Sequence, residues 1–197
     1  MAAVKDGLIS LWIDTATPTL SVVLTKGTQT LTTVQHTGKN DHSQTLMPVI
    51  ETTLTQHGFS PKHLLDITVG VGPGSYTGTR IGVVVAKTLA HALNIPLYTV
   101  SSLAFLASGH TGRVLAAIDA RRGAVFAGLY DGDASTLHSV IEDAYTTLED
   151  FKQPYTLIYE SVPNVMRLKA LRVREDDLYG VTPRYLRITQ AESEHDR

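Results

Sequence analysis

The chain has 197 residues, 43% apolar and 18% charged, with 17 Lys+Arg against 19 Asp+Glu and a formal net charge of −2. That composition builds one domain or two small joined lobes around a real core, and it lacks the basic surplus with which a protein holds nucleic acid alone. Cysteine is absent, which excludes disulfides, thiolate nucleophiles and Cys-ligated zinc.

The first apolar run, Leu8-Ile-Ser-Leu-Trp-Ile13, ends at Asp14-Thr15. It has neither the apolar core nor the cleavage site of a signal peptide and reads as a first strand. No run nears the roughly 18 apolar residues of a membrane span, so a soluble, cytoplasmic protein is expected. Leu20–Thr25 and Thr30–His36, split by Lys26-Gly27, read as a hairpin. The polar stretch Asn40–Ser43 starts a helix in which Leu46, Val49, Ile50 and Leu54 recur at helical spacing; Pro48 is tolerated there as a first-turn residue, and Gly58 stops the helix. Ser60-Pro61 opens a short helix. Ile67–Val71 is a buried strand, followed by a helix from about Arg80 to Leu93 with Asn94 as its left-handed stop. Leu97–Val100 is a strand, and a helix begins at Ser101. Three antiparallel strands followed by strand–helix alternation imply a mixed sheet covered by helices.

The second half opens with Val114–Ile118, again closed by an aspartate, Asp119, and followed by a returning strand at Ala127-Gly-Leu129. This repeats the strand–Asp–hairpin outline of the first half and suggests a duplicated lobe. Its copy is thinner: a strand over Thr136–Ile141, a weak helix after Asp143, a strand at Tyr155–Tyr159, a short helix near Asn164–Leu171, and a polar, disordered tail at 190–197. The chain divides accordingly into a first lobe over 1–104, a reduced second lobe over 105–190 and the tail over 191–197.

The segment Gly70-Val-Gly-Pro-Gly-Ser-Tyr-Thr-Gly-Thr-Arg-Ile-Gly82 carries the strongest local signal. Glycines ahead of a helix can cradle a phosphate with backbone amides. Yet no Gly-Lys-Ser/Thr follows, and Ser75 breaks the G-x-G-x-x-G spacing, so a sharp strand-to-helix turn competes with direct phosphate contact. Asp14 can hold a magnesium–phosphate through water or initiate its turn by bonding nearby amides; for Asp119 the turn reading is preferred. Asp14, Thr15, Gly74 and Ser75 are the candidate nucleotide contacts. The eight histidines form no His-x-x-x-His pair, so a zinc site has little support. The helix Arg80–Leu93 is apolar around most of its circumference, which calls for burial on two sides, by the second lobe or by a partner subunit.

Ile13-Asp-Thr-Ala, His42-Ser-Gln, Gly72–Gly82, Ala86-Lys, Ile95-Pro-Leu, Val100-Ser-Ser-Leu, Ile118-Asp-Ala-Arg-Arg-Gly and Pro183-Arg-Tyr-Leu-Arg187 together resemble the TsaB (YeaZ) family, in order along nearly the whole chain. The resemblance implies an α/β, actin-like (ASKHA, ribonuclease-H-like) fold of two related lobes, the second reduced. It implies a non-catalytic scaffold or activator in bacterial tRNA threonylcarbamoyladenosine (t6A) synthesis, the partner of a paralogue, TsaD, that modifies adenosine 37 of tRNAs reading ANN codons. It further implies an ATPase, TsaE, in the assembly, self-association as a homodimer in isolation, and tRNA contact only through the complex. No cofactor of its own is implied, with ATP or ADP at the subunit interface left open.

By the same resemblance the partner interface falls on the two helices, at His42, Thr45, Leu46, Val49, Tyr76, Arg80, Val84 and Lys87. Ser102 and Leu106 stand where the paralogue has its metal-binding histidines, and Tyr76 and Thr79 depart from the common Phe and Leu. The short stretch between Asp131 and Glu160 puts a nucleotide pocket between the lobes in doubt. The alternative is a small actin-like-fold ATPase or kinase working from Asp14 and the glycine turn; a peptidase lacks both a metal pair and a nucleophile constellation.

Overall fold

The structure, a computed structural model, describes residues 7–38 and 41–186. Asn40 of the expected helix start and the expected tail at 190–197 lie outside the described residues.

Strand β1 (Ile9–Asp14) is central in the first sheet. It pairs antiparallel with β2 (Thr19–Lys26), Leu11 opposite Leu24 and Ile13 opposite Val22, and parallel with β4 (Leu64–Gly70). Both its faces are covered, which is why the run is apolar almost throughout rather than alternating. β2 pairs with β3 (Gln29–Thr37), an edge strand rich in threonine, and β4 with β5 (Leu97–Val100). Helices α1 (His42–Gln56) and α2 (Tyr76–Leu93) cover one face: Leu46, Ile50 and Leu54 of α1 and Val83, Ala86 and Ala90 of α2 join Leu11, Ile13, Val22 and Leu24 in one core.

α2 begins a full turn before the expected Arg80. Ser75 supplies the reason: its Oγ accepts the Gly78 amide at 3.2 Å, capping the helix inside the glycine-rich segment. Its end is as read, with Asn94 at φ +52°. Pro48 is the seventh residue of α1, past the first turn, so the helix carries an interior proline that leaves one carbonyl without its helical donor.

The second sheet contains β6 (Val114–Asp119), β7 (Val125–Asp131), β8 (His138–Thr146) and β9 (Thr156–Ile158), in the order β8-β7-β6-β9. β6 is antiparallel to β7 and parallel to β9, as β1 is to β2 and β4. The two lobes therefore repeat the order third–second–first–fourth, and the duplication suggested by Asp14 and Asp119 extends to topology. The helix expected after Asp143 does not form. β8 continues to Thr146 because Ala144, Tyr145 and Thr146 pair with Ala127, Phe126 and Val125 of β7, and only a 3-10 turn, Leu148–Asp150, follows. The helix near Asn164–Leu171 is likewise a 3-10 turn, Val165–Leu168.

Helix α3 (Ser102–Ala107), buried along its whole length, joins the lobes: Trp12 and Val23 from the first sheet meet Leu103, Val114, Ala116 and Leu168 in a second core. The division at residue 104 needs an amendment, because the chain returns to the first lobe. β10 (Val173–Glu175) pairs antiparallel with β5, and the segment after it lies along α2. No helix among the described residues is long and apolar enough to cross a membrane.

Candidate functional site

Asp14 ends β1 at the floor of a cleft of about 360 Å³ between the lobes, with Thr17 and Ser21 on one wall and Ser102, Phe105 and Glu160 on the other. It is 4% exposed. The Ser102 hydroxyl donates to its Oδ1 at 2.5 Å and the Ala16 amide to its Oδ2 at 3.3 Å, while Ser102 Oγ accepts the Gly72 amide at 3.0 Å. Burial pushes the Asp14 carboxyl up to about 6, against the downward pull of those hydrogen bonds. Among the described residues no Lys or Arg lines the cleft, so phosphate entering it meets two carboxylates and no cation. At Gly70 a Cβ would overlap Asp14 Oδ1; that glycine is dictated by the buried acid.

The four candidate nucleotide contacts are brought together around the β1–β2 turn, and the polar atoms of Asp14, Thr15 and Ser75 are taken up by Ala16, Gly78 and Ser102. Ser75 donates its amide to the Ala16 carbonyl at 2.7 Å, and Thr15 Oγ1 donates to the Gly78 carbonyl at 2.7 Å. A Cβ at Gly74 or Gly78 would overlap the carbonyl oxygens of Ala16 or Thr15. The glycines let the β1–β2 turn and the start of α2 touch backbone to backbone, and Ser75 commits its amide and its hydroxyl to that joint.

The eight candidate interface residues divide by helical phase. His42 and Leu46 face inward: the His42 Nε2 lies 2.8 Å from the Thr17 carbonyl and Leu46 is fully buried. Thr45 and Val49 are half-buried, Thr45 Oγ1 donating to the Asp41 carbonyl at 2.8 Å. On α2, Tyr76 and Val84 are 48% and 60% exposed. Arg80 lies 4.0 Å above the Tyr76 ring and its Nε donates to the Tyr185 hydroxyl at 2.6 Å. Lys87 donates to the carbonyls of Tyr179 and Val181 at 3.0 and 2.9 Å.

Those last contacts define a strap that the sequence did not reveal. After β10 the chain runs antiparallel to α2, with Val181 buried, the Arg184 amide on the Val71 carbonyl at 2.7 Å, and Tyr185 stacked on Tyr76 at 4.9 Å. On α1 the phase that turns Leu46 and Ile50 inward turns Met47 out, 44% exposed. A second buried acid, Asp143, closes the lobe junction. It accepts from Ser101 and Tyr130, faces Arg184 at 3.8 Å, and is pushed up by burial.

A duplicated β-sheet lobe with an aspartate at each first hairpin, joined by a shared core below a cleft, defines a small actin-like (ASKHA) α/β protein. The family model described as TsaD, tRNA N6-adenosine threonylcarbamoyltransferase, matches residues 31–173. The tRNA threonylcarbamoyladenosine biosynthesis protein TsaB of Bacillus subtilis (strain 168) is 40% identical over 144 residues, 72% of this chain and 63% of that protein. Its namesake in Escherichia coli (strain K12) is 38% identical over 128 residues, 62% and 55% of the two chains. The alignments thus span little more than half of these relatives' length. Among solved structures, YeaZ from Pseudomonas aeruginosa superimposes with a TM-score of 0.77 at 27% identity, over 91% of this chain and 100% of that one. The chain belongs to the TsaB/YeaZ family.

Proposed function

We propose that this chain is the accessory, non-catalytic subunit of a cytoplasmic t6A-synthesising complex, docking through α1 and α2 onto the paralogous transferase TsaD and so supporting modification of adenosine 37 in tRNAs reading ANN codons. The observation that carries the reading is the outward stripe of α2, Tyr76, Arg80 and Val84. Tyr185 of the strap engages Tyr76 and Arg80 yet leaves both exposed, and Val84 beside them stays exposed, so an apolar side chain sits among the Tyr and Arg side chains that anchor protein interfaces. The cleft wall supports the non-catalytic half of the reading. Ser102 is bonded to Asp14 and Leu106 packs in the shared core, so neither offers a metal ligand. Self-association through the same face, and recruitment of TsaE to the assembly, belong to the same proposal.

Co-purification with the cognate TsaD, followed by a tRNA modification assay with and without this chain, tests it. Transfer is expected only when both are present. Val84→Asp would bury an unpaired carboxylate in the interface and weaken association by about thirty-fold or more, roughly 2 kcal/mol or above. Threonylcarbamoyl transfer by this chain alone would sink the reading. An ATPase or kinase centred on Asp14 has less behind it, because no described Lys or Arg lines the cleft and Ser75 is committed to its cap.

A further inference from the structure

The hairpin joining β6 to β7 turns through three successive residues with positive φ: Arg121 at +67°, Arg122 at +57° and Gly123 at +79°. The loop is closed by Ala120 N–H to the Ala124 carbonyl at 3.0 Å and Ala124 N–H to the Arg121 carbonyl at 3.2 Å. The turn closed by the second bond has Arg122 and Gly123 at its centre with Arg121 just before it, and all three positions are left-handed, a conformation that Asn and Gly adopt most readily. Arginine does not; each one held there costs on the order of 1 kcal/mol. The unstrained turn has been passed over for two long cationic side chains.

Those side chains are also the exception among the arginines. Of the eight arginines in the described residues, six are engaged. Arg80 bonds Tyr185, Arg113 pairs with Asp131, Arg167 is buried against carbonyls, Arg172 pairs with Asp66, Arg174 lies 3.8 Å from Asp176, and Arg184 faces Asp143. Arg121 and Arg122 are both exposed, and their guanidinium groups have no partner among the described residues. The nearest acid in sequence, Asp119, turns its Oδ1 to the Arg121 amide at 2.8 Å instead of to either guanidinium. In a chain of net charge −2 this tip is a local concentration of free positive charge.

We propose that Arg121 and Arg122 form a phosphate-binding tip that contacts the RNA backbone. This rests on the proposed role in tRNA modification for its ligand. Guanidinium groups match phosphate oxygens in fork geometry, and residues 119–125 contain no aromatic side chain on which a base could stack. The contact is therefore with phosphates and independent of base sequence.

The test is a salt titration of tRNA binding by the full chain assembled with the transferase, with the chain alone titrated in parallel at low salt. In Arg121→Asn/Arg122→Gly the slope of log K against log[salt] should fall by about 1.4 to 1.8, near 0.7–0.9 per lost phosphate contact. Affinity at low salt should drop by roughly ten-fold, equally for cognate and non-cognate RNA. The same variant should melt a few degrees higher, about 3 °C, because the strained backbone is relieved. Arg121→Lys/Arg122→Lys keeps the charge and should keep most of the slope.

An unchanged slope and affinity in the first variant, with the complex intact, overturns the proposal. So does loss of transferase binding with an unchanged RNA slope, which would make the tip a contact for an acidic protein surface. Failure to assemble with the transferase defeats the accessory-subunit reading instead, and the titration of the chain alone still reports on the two arginines.

Discussion

In both lobes the first strand ends at an aspartate whose carboxylate accepts the amide two residues on: Asp14 from Ala16 at 3.3 Å, Asp119 from Arg121 at 2.8 Å. The surroundings of the two turns differ. The first turn lies under the glycine-rich start of α2, its backbone in contact with Gly74 and Gly78 and its acid shut away at the floor of the cleft. Among the described residues the second lobe has only 3-10 turns where the first has α1 and α2. Its turn is left uncovered, and Asp119 and the two arginines after it stand in solvent. One local motif thus yields a buried carboxylic acid in one lobe and an exposed cationic tip in the other. The motif sets the turn; the element packed on the turn sets its chemistry.

The sharpest way to break that comparison is at the glycines. Gly78→Ala would drive a Cβ into the Thr15 carbonyl, a backbone atom that cannot swing aside, and should cost about 3 kcal/mol, lowering the Tm by roughly 10 °C. Gly123→Ala meets no atom within 4 Å and suffers only from its positive φ, about 1 kcal/mol. Equal losses in thermal melts would mean that the first turn is no more tightly covered than the second.

The aspartates come next. With its carboxyl raised from 3.8 to about 6, Asp14 binds a proton in the folded state before it does in the unfolded one. The contribution of Asp14 to stability is therefore fully present below about pH 4 and is lost as pH rises through about 6, by on the order of 3 kcal/mol. Asp14→Asn should remove that slope and raise stability at pH 7 by about 1–2 kcal/mol, since the amide keeps only part of the hydrogen bonding. Asp119→Asn keeps its turn and should change stability by less than about 0.5 kcal/mol at any pH. Denaturant titrations across pH 4–8 would decide; an Asp14→Asn chain that is weaker at pH 7 would mean the carboxylate is held there by something this geometry lacks.

The joint between the first turn and α2 is probed further by Thr15→Val, which deletes the hydroxyl bond to Gly78 at a cost of about 1 kcal/mol. Combined with Gly78→Ala the two losses should fall short of their sum, because the first substitution already parts the turn from the helix. Strict additivity would show that the hydroxyl bond and the backbone contact act separately.

Much of this fold was legible in the sequence because its signals are local. The strand Leu97–Val100, the left-handed stop at Asn94 and the turn-forming Asp119 appear where capping and turn chemistry put them. The glycine-rich segment was legible as a turn, but the N-cap inside it was not, because Ser75 stands among residues that also fit a phosphate loop. β8 was cut short because Glu142-Asp-Ala-Tyr-Thr146 is weakly patterned by itself and is held as strand by pairing with β7.

Sequence by itself determined the strand–Asp–hairpin unit, its repetition and the family to which the chain belongs, since these rest on residue types at short spacing. Tertiary structure alone decided which aspartate is buried, that Val173–Glu175 and the strap return to the first lobe, and that Tyr185 reaches Arg80 across 105 positions. Burial and long-range pairing depend on what the rest of the chain brings to a residue, and no window along the sequence contains that information.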